Sequence, residues 1–152
     1  MTEERDRIVV GVDGSACALA ALRWALDEAR RRRADLELVT SWHAPYLAEA
    51  SGYGLIYLSP EELSAEARMV QDQALEHLAP EVAAAREAGC RIDSRLLEGP
   101  PGPVLVTESK GAKMVVVGRR GHGALTRLLL GSVSRHVTTH ATCPVIVIPP
   151  TD

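Results

Sequence analysis

Five short runs of aliphatic residues punctuate the chain, and longer stretches with an apolar residue at every third or fourth position separate them. Residues 8–12, Ile-Val-Val-Gly-Val, stop at Asp13-Gly14-Ser15, a turn and helix-cap cluster, which predicts a first strand ending at Asp13. Through residues 16–33, Ala18, Leu22, Ala25, Leu26 and Ala29 recur at helical spacing and mark one buried face. Residues 36–42 read as a second strand. Residues 43–58, with Pro45, Gly52 and Gly54, have loop composition and are expected to form a mobile flap.

Ser59-Pro60-Glu61-Glu62 is a helix start, with a capping serine, proline at the first position and acids in the first turn. The face formed by Leu63, Ala67, Val70, Ala74, Leu78, Val82 and Ala85 continues to Gly89, and Pro80 inside it is expected to kink or split the helix. Residues 92–97 form a third strand, and the Gly99-Pro100-Pro101-Gly102-Pro103 loop leads to a short helix ending near Gly111. Residues 114–117 form a fourth strand, 133–140 a helix and 145–148 a fifth strand. Short apolar strands alternating with helices predict an α/β fold. It is expected to be a Rossmann-like, open parallel five-stranded sheet with right-handed connections, strand order 3-2-1-4-5 and helices on both faces.

The composition fits that architecture. At 152 residues and 46% hydrophobic content the chain suits a single domain, 1–152, with a real core. Phenylalanine is absent, so Val, Ile, Leu and Ala must fill the space between sheet and helices. A net charge of −3 gives no global attraction to nucleic acid or to an anionic membrane. The arginine run at 30–33 reads as a helix end, where cations favour the negative dipole terminus. Five of the first seven residues are charged, and no run approaches the roughly 18 apolar residues of a membrane span, so a cytoplasmic protein is expected. Cys17, Cys90 and Cys143 have no metal-site spacing or paired framework and read as small core residues.

Chemistry is concentrated at the fourth strand exit. There Gly118-Arg119-Arg120-Gly121 is followed by nine residues and then by Gly131-Ser132. Glycines at a strand exit let the backbone turn and approach an anion, and Ser132 stands where a helix start presents unpaired N–H groups. No lysine precedes Ser132, so this is not a Walker A loop, and Gly118, Gly121 and Gly123 match a dinucleotide fingerprint only loosely. By spacing alone the glycines serve a tight turn and a helix start as well as they serve a phosphate. In the expected strand order, however, strands 1 and 4 adjoin where the order reverses, so that Asp13 and the Gly118 loop face one crevice. His136 and His140 lie one helical turn apart, but no glutamate follows His136 as a zinc hydrolase motif requires. No Ser/His/Asp triad can be assigned.

The segments Ile-Val-Val-Gly-Val-Asp-Gly-Ser at 8–15 and Gly118-Arg-Arg-Gly121 with Gly131-Ser132 resemble the two ends of a universal stress protein domain. Leu-Leu-Leu-Gly-Ser-Val-Ser at 128–134 and Cys-Pro-Val-Ile-Val-Ile-Pro at 143–149 continue the likeness. The resemblance implies the family's adenine nucleotide alpha hydrolase-like fold and its ATP-binding branch. Gly118, Gly121, Gly131 and Ser132 would then hold the phosphates, with Gly123 and Val133 beside them. Asp13 would contact the nucleoside, beside two roles open to an acid at a strand end, holding a divalent cation or capping the first helix; the backbone near Ser41 would meet adenine, and Gly99 and Pro100 would line the same crevice. His122, inside the loop, would donate to a phosphate oxygen or face solvent. The ligand implied is ATP with magnesium, and the implied assembly is a homodimer through Val145–Ile148. The implied role is nucleotide-dependent regulation or stress tolerance, with slow ATP hydrolysis, phosphotransfer, cyclic AMP binding or an interaction module as alternatives. Arg119, where a small polar residue is common, and Lys113, where many members carry an acid, depart from the family pattern.

Overall fold

The computed structural model describes residues 4–43, 58–120 and 129–150. Its strands are β1 (Arg7–Gly11), β2 (Asp35–Trp42), β3 (Ile92–Glu98), β4 (Met114–Gly118) and β5 (Val145–Ile148). Its helices are α1 (Ala16–Arg32), α2 (Pro60–His77), α3 (Ala79–Glu87), α4 (Pro101–Glu108) and α5 (Ser132–His140). Every neighbouring pair of strands is parallel, in the expected order β3-β2-β1-β4-β5. The expected flap at 43–58 falls almost wholly outside the described residues.

Period-two alternation sorts the strands' side chains into two cores. Ile8 and Val10 of β1, Leu36 and Leu38 of β2, and Met114 and Val116 of β4 pack with α1, Leu78 and the Val82 and Ala85 face of α3. Val9, Val39, Val115 and Val117 turn the other way, against Leu105 of α4 and Val137 of α5. The sheet is therefore covered on both faces. Ala21, Ala25 and Ala29 are wholly buried on α1, and their small side chains let that helix lie close to the sheet.

Local chemistry sets the helix boundaries. Ser15 Oγ accepts the Ala18 N–H at 3.1 Å, and the last turn of α1 carries Arg30, Arg31 and Arg32 before Arg33 closes it at φ 53°. At α2, Ser59 Oγ accepts the Glu62 N–H at 3.2 Å while the Glu62 carboxylate accepts the Ser59 N–H at 3.4 Å, a reciprocal capping box. Pro80 splits the next helix rather than bending it. α2 ends at His77, Leu78 adopts φ −106°, and α3 restarts at Ala79, because a proline has no N–H for the carbonyl four residues back and its ring crowds it.

A charged network fixes α4 at the end of the sheet away from the strand exits. Arg7 Nη1 donates to Glu37 at 2.8 Å, and Arg7 Nη2 donates to the Glu108 and Lys110 carbonyls at 3.0 and 2.9 Å. Arg95 bridges Glu37 and Glu108. Among the described residues, no helix is long and apolar enough to cross a membrane.

Candidate functional site

β1 leaves the sheet into α1 on one face, and the helix before β4, α4, lies on the other. Above the carboxyl ends of these adjacent strands the chain diverges, and a crevice of about 220 Å³ opens there. One wall comes from Gly11, Val12 and Asp13 with the start of α1, and a second from Val39, Ser41 and His43 of the β2 exit. Pro101, Val104 and Leu105 of α4 form a third, while Val117, Gly118, Arg120, Val133 and Ser134 complete the rim.

The β1 exit is pinned to β2 and to α1. The Val12 N–H donates to the Val39 carbonyl at 3.0 Å, and Thr40 Oγ1, in a buried residue, donates to the Val12 carbonyl at 2.7 Å. Asp13 Oδ1 accepts the Ser15 N–H at 2.8 Å, so this carboxylate shapes the turn into α1 while it also lines the crevice. On β2, odd-numbered backbone groups point towards β1, as the Asp35 N–H to Asp6 carbonyl bond of 2.8 Å shows. Even-numbered groups point towards β3, as with the Leu36 N–H to the Arg91 carbonyl at 2.8 Å. The last residue pair of β1 and β2 is Gly11 with Val39. The backbone groups of Ser41 therefore stand beyond the end of β1, on the crevice side.

Gly118 is where the reading of the glycines changes. Its backbone is not in the left-handed region, unlike that of Gly14, Gly89, Gly99 and Gly111. Close approach explains it instead. A Cβ at position 118 would stand 2.7 Å from Cys17 Cβ and 2.8 Å from the Cys17 carbonyl carbon, so glycine admits the first turn of α1 against the β4 exit. Gly99 does need its freedom, at φ +134°, and its N–H donates to the Trp42 carbonyl at 2.8 Å. It thereby turns the chain into Pro100 and α4.

Beyond β4, the Arg119 N–H donates to the Ile148 carbonyl at 2.7 Å, and the Arg119 carbonyl accepts the Gly131 N–H at 2.8 Å. Both ends of the segment 119–131 are thereby drawn together. Gly131 caps α5 without a side-chain hydrogen bond, and the first intrahelical bond runs from the Arg135 N–H to the Gly131 carbonyl at 3.0 Å. The N–H groups of Ser132, Val133 and Ser134 precede the first that can reach an acceptor inside the helix, and they form its positive end.

Of the residues singled out in the sequence, Asp13, Ser41, Gly118 and Val133 line the crevice. Gly131 and Ser132 start the helix that supplies Val133 and Ser134, and Gly99 and Pro100 lie just before the lining residue Pro101. Gly121, His122 and Gly123 lie outside the described residues. Arg119 is half-buried; its Nε is shielded from solvent without a hydrogen-bond partner among the described residues, and its side chain is not part of the crevice wall.

Other lining residues were not singled out in the sequence. Val39 and His43 share the side of Ser41 by the two-residue period, and Pro101, Val104 and Leu105 share one helix face. Each pattern was open to detection once the strand and helix ends were known. The rings of His136 and His140 meet at a tilt of 47° with centroids 4.6 Å apart, and His136 packs where a Cβ of Gly102 would be, which joins α5 to α4. Among the described residues no three His, Cys, Asp or Glu side chains gather as a metal site. Cys17, Cys90 and Cys143 are free thiols, and burial pushes the Cys90 and Cys143 thiols up.

The fold and crevice define a doubly wound α/β protein with a ligand-sized opening at its switch point. The universal stress protein family model matches residues 4–149, and the chain belongs to that family. It is similar to Universal stress protein Rv1996 of Mycobacterium tuberculosis, 35% identical over 153 residues, covering 93% of this chain and 47% of that protein. The chain thus spans about half the length of the first curated relatives it matches. A universal stress protein solved in complex with cAMP superposes with a TM-score of 0.68 at 25% identity, covering 97% of this chain and 98% of the other. The universal stress protein of Archaeoglobus fulgidus, solved in complex with dAMP, gives a TM-score of 0.59 at 26% identity, covering 94% and 97%.

Proposed function

We propose that this chain binds ATP in the crevice between β1 and β4 and works as a nucleotide-dependent regulatory or stress-tolerance factor in the cytoplasm. The observation that carries the reading is the meeting, in one crevice, of three different recognition chemistries. The Ser41 backbone offers the polar edge that a purine reads, the Asp13 carboxylate offers an acceptor for ribose hydroxyls, and Gly118 and α5 offer backbone donors to phosphate. Gly121, His122, Gly123, Gly131 and Ser132 would extend that phosphate contact, and Gly99 and Pro100 would shape the mouth. The adenine nucleotides in the two similar solved structures support the same choice of base.

Asp13 is the one carboxylate in the described lining, which suits a magnesium ion held chiefly by phosphate oxygens and water. The binding role is favoured over turnover because the described residues of the lining include no second carboxylate and no lysine. Mass spectrometry of nucleotide released from the purified protein, followed by calorimetry with ATP and GTP, tests the reading. It expects ATP to be recovered and to bind more tightly than GTP. Equal affinity for the two would remove the adenine site.

Cyclic AMP is the second reading, supported by the similar structure solved with it, and a cyclic AMP affinity above that for ATP would favour it. A homodimer through Val145–Ile148 belongs to the proposal, since this edge strand is only half-buried and carries four aliphatic residues. A monomeric mass by light scattering would remove that part.

A further inference from the structure

The two serine-capped helices α1 and α2 commit a hydroxyl to their own first-turn N–H groups. α5 is built differently. Its cap is Gly131, and the serine at its third position turns its hydroxyl backwards. Ser134 Oγ lies 2.8 Å from the Arg119 carbonyl oxygen and 3.1 Å from the Gly131 carbonyl oxygen, so one hydroxyl proton is shared between two acceptors. Ser134 is 1% exposed, which makes loss of this bond costly and leaves water no access to replace it.

The acceptor that matters is itself fixed. Arg119 is held to β5 through its N–H and to Gly131 through its carbonyl, at 2.7 and 2.8 Å. Ser134 therefore staples the first turn of α5 to the last bonded position of the sheet. This sets the distance between the Gly118 exit and the N–H groups of Ser132 and Val133. Charge-assisted N–H to phosphate bonds are short and directional, so a small displacement of that turn lengthens several of them together.

We propose that Ser134 is the positioning residue of a phosphate subsite, governing affinity for the phosphate part of a nucleotide and not for its nucleoside part. The inference rests on the ATP-binding reading above. Calorimetry with ATP and with adenosine, on the full chain and on Ser134→Ala, tests it, with thermal melting run alongside. Ser134→Ala is expected to weaken ATP by about tenfold while adenosine changes by less than about twofold. Val137→Ala, which opens the buried core under the same helix without touching the staple, should lower the melting temperature yet leave the ratio of ATP to adenosine affinity unchanged.

If Ser134→Ala weakens both ligands equally, or neither, or if Val137→Ala produces the same split, the positioning role is overturned. If Ser134→Ala does not fold, Ser134→Cys keeps the volume with a weaker donor and must show the same split at smaller size, and no split overturns the role. A wild-type chain that binds adenosine and ATP with an unsplit variant overturns Ser134 alone. A wild-type chain that binds neither overturns the ATP reading and this inference with it.

Discussion

Gly118→Ala separates a glycine needed for packing from one needed for backbone freedom. Carbon atoms in contact settle at about 3.5–4.0 Å, whereas the new methyl would lie 2.7 Å from Cys17 Cβ and 2.8 Å from the Cys17 carbonyl carbon. Roughly 1 Å must be found. Two of the three nearest atoms, the Cys17 carbonyl carbon and oxygen, are backbone, and α1 is held against the sheet by the buried Ala21, Leu22 and Ala25, so the strain cannot be relieved by a rotamer change. Overpacking of this kind costs about 1–3 kcal/mol, and a backbone obstacle places it at about 2–3. For a chain of this length each kcal/mol lowers the melting temperature by about 2–4 °C, so a fall of about 5–10 °C is expected. Thermal melting and urea denaturation measure it, with the m-value unchanged. Asparagine tolerates the left-handed region better than alanine does, so Gly118→Asn discriminates between the two explanations. Packing requires Asn to be worse than Ala. A Gly118→Ala melt within about 2 °C of wild type, or an Asn variant milder than Ala, would refute the argument.

Asp35 should contribute acid-sensitive stability. Burial opposes its charge, but the Arg91 N–H at 3.1 Å and Arg91 Nη2 at 2.9 Å outweigh this and hold the carboxyl below its ordinary value. Because the folded pKa is depressed, the contribution is present above the ordinary carboxylate range near about pH 4 and is lost as pH falls through the folded value. Arg91 is 76% exposed, so solvent screening limits the effect. Asp35→Asn should cost about 1 kcal/mol in urea at neutral pH and much less at about pH 3, and an equal cost at both would contradict the linkage. Arg33→Gly should stabilise by about 0.5–1 kcal/mol, since Arg33 closes α1 at φ 53° with its side chain in solvent; a lower melting temperature would count against that. ATP turnover should fall well below the roughly 1–100 s⁻¹ of kinases. A rate within that range, lost in Asp13→Ala with ATP still bound, would promote the enzyme alternative.

Much of the fold was legible because its signals were local. The aliphatic runs holding Val9, Val10, Val115 and Val116, the serine, proline and acids at the start of α2 and the arginines at the end of α1 each act within a few residues, and the structure uses each as read. Pro80 was legible as a kink or a split, and the structure takes the split, with Leu78 between α2 and α3. The crevice was legible in outline, since Asp13, Ser41 and Gly118 line it. What the chain could not disclose by pattern was contact across sequence distance. The pressure of Cys17 on Gly118 and the bond from Ser134 to Arg119 depend on how α1 and α5 dock. A glycine at a strand exit suggests a turn until the helix it admits is seen.

Amide chemical-shift mapping of the isotopically labelled chain on addition of magnesium ATP tests the central claim most directly. The account predicts the largest shifts at Asp13, Ser41, Gly118 and residues 132–134, with little change in the groove between α1 and α3 near Trp24 and Ala84. No shifts at saturating nucleotide, or shifts centred on that groove while the β1 and β4 exits stay unchanged, would contradict it.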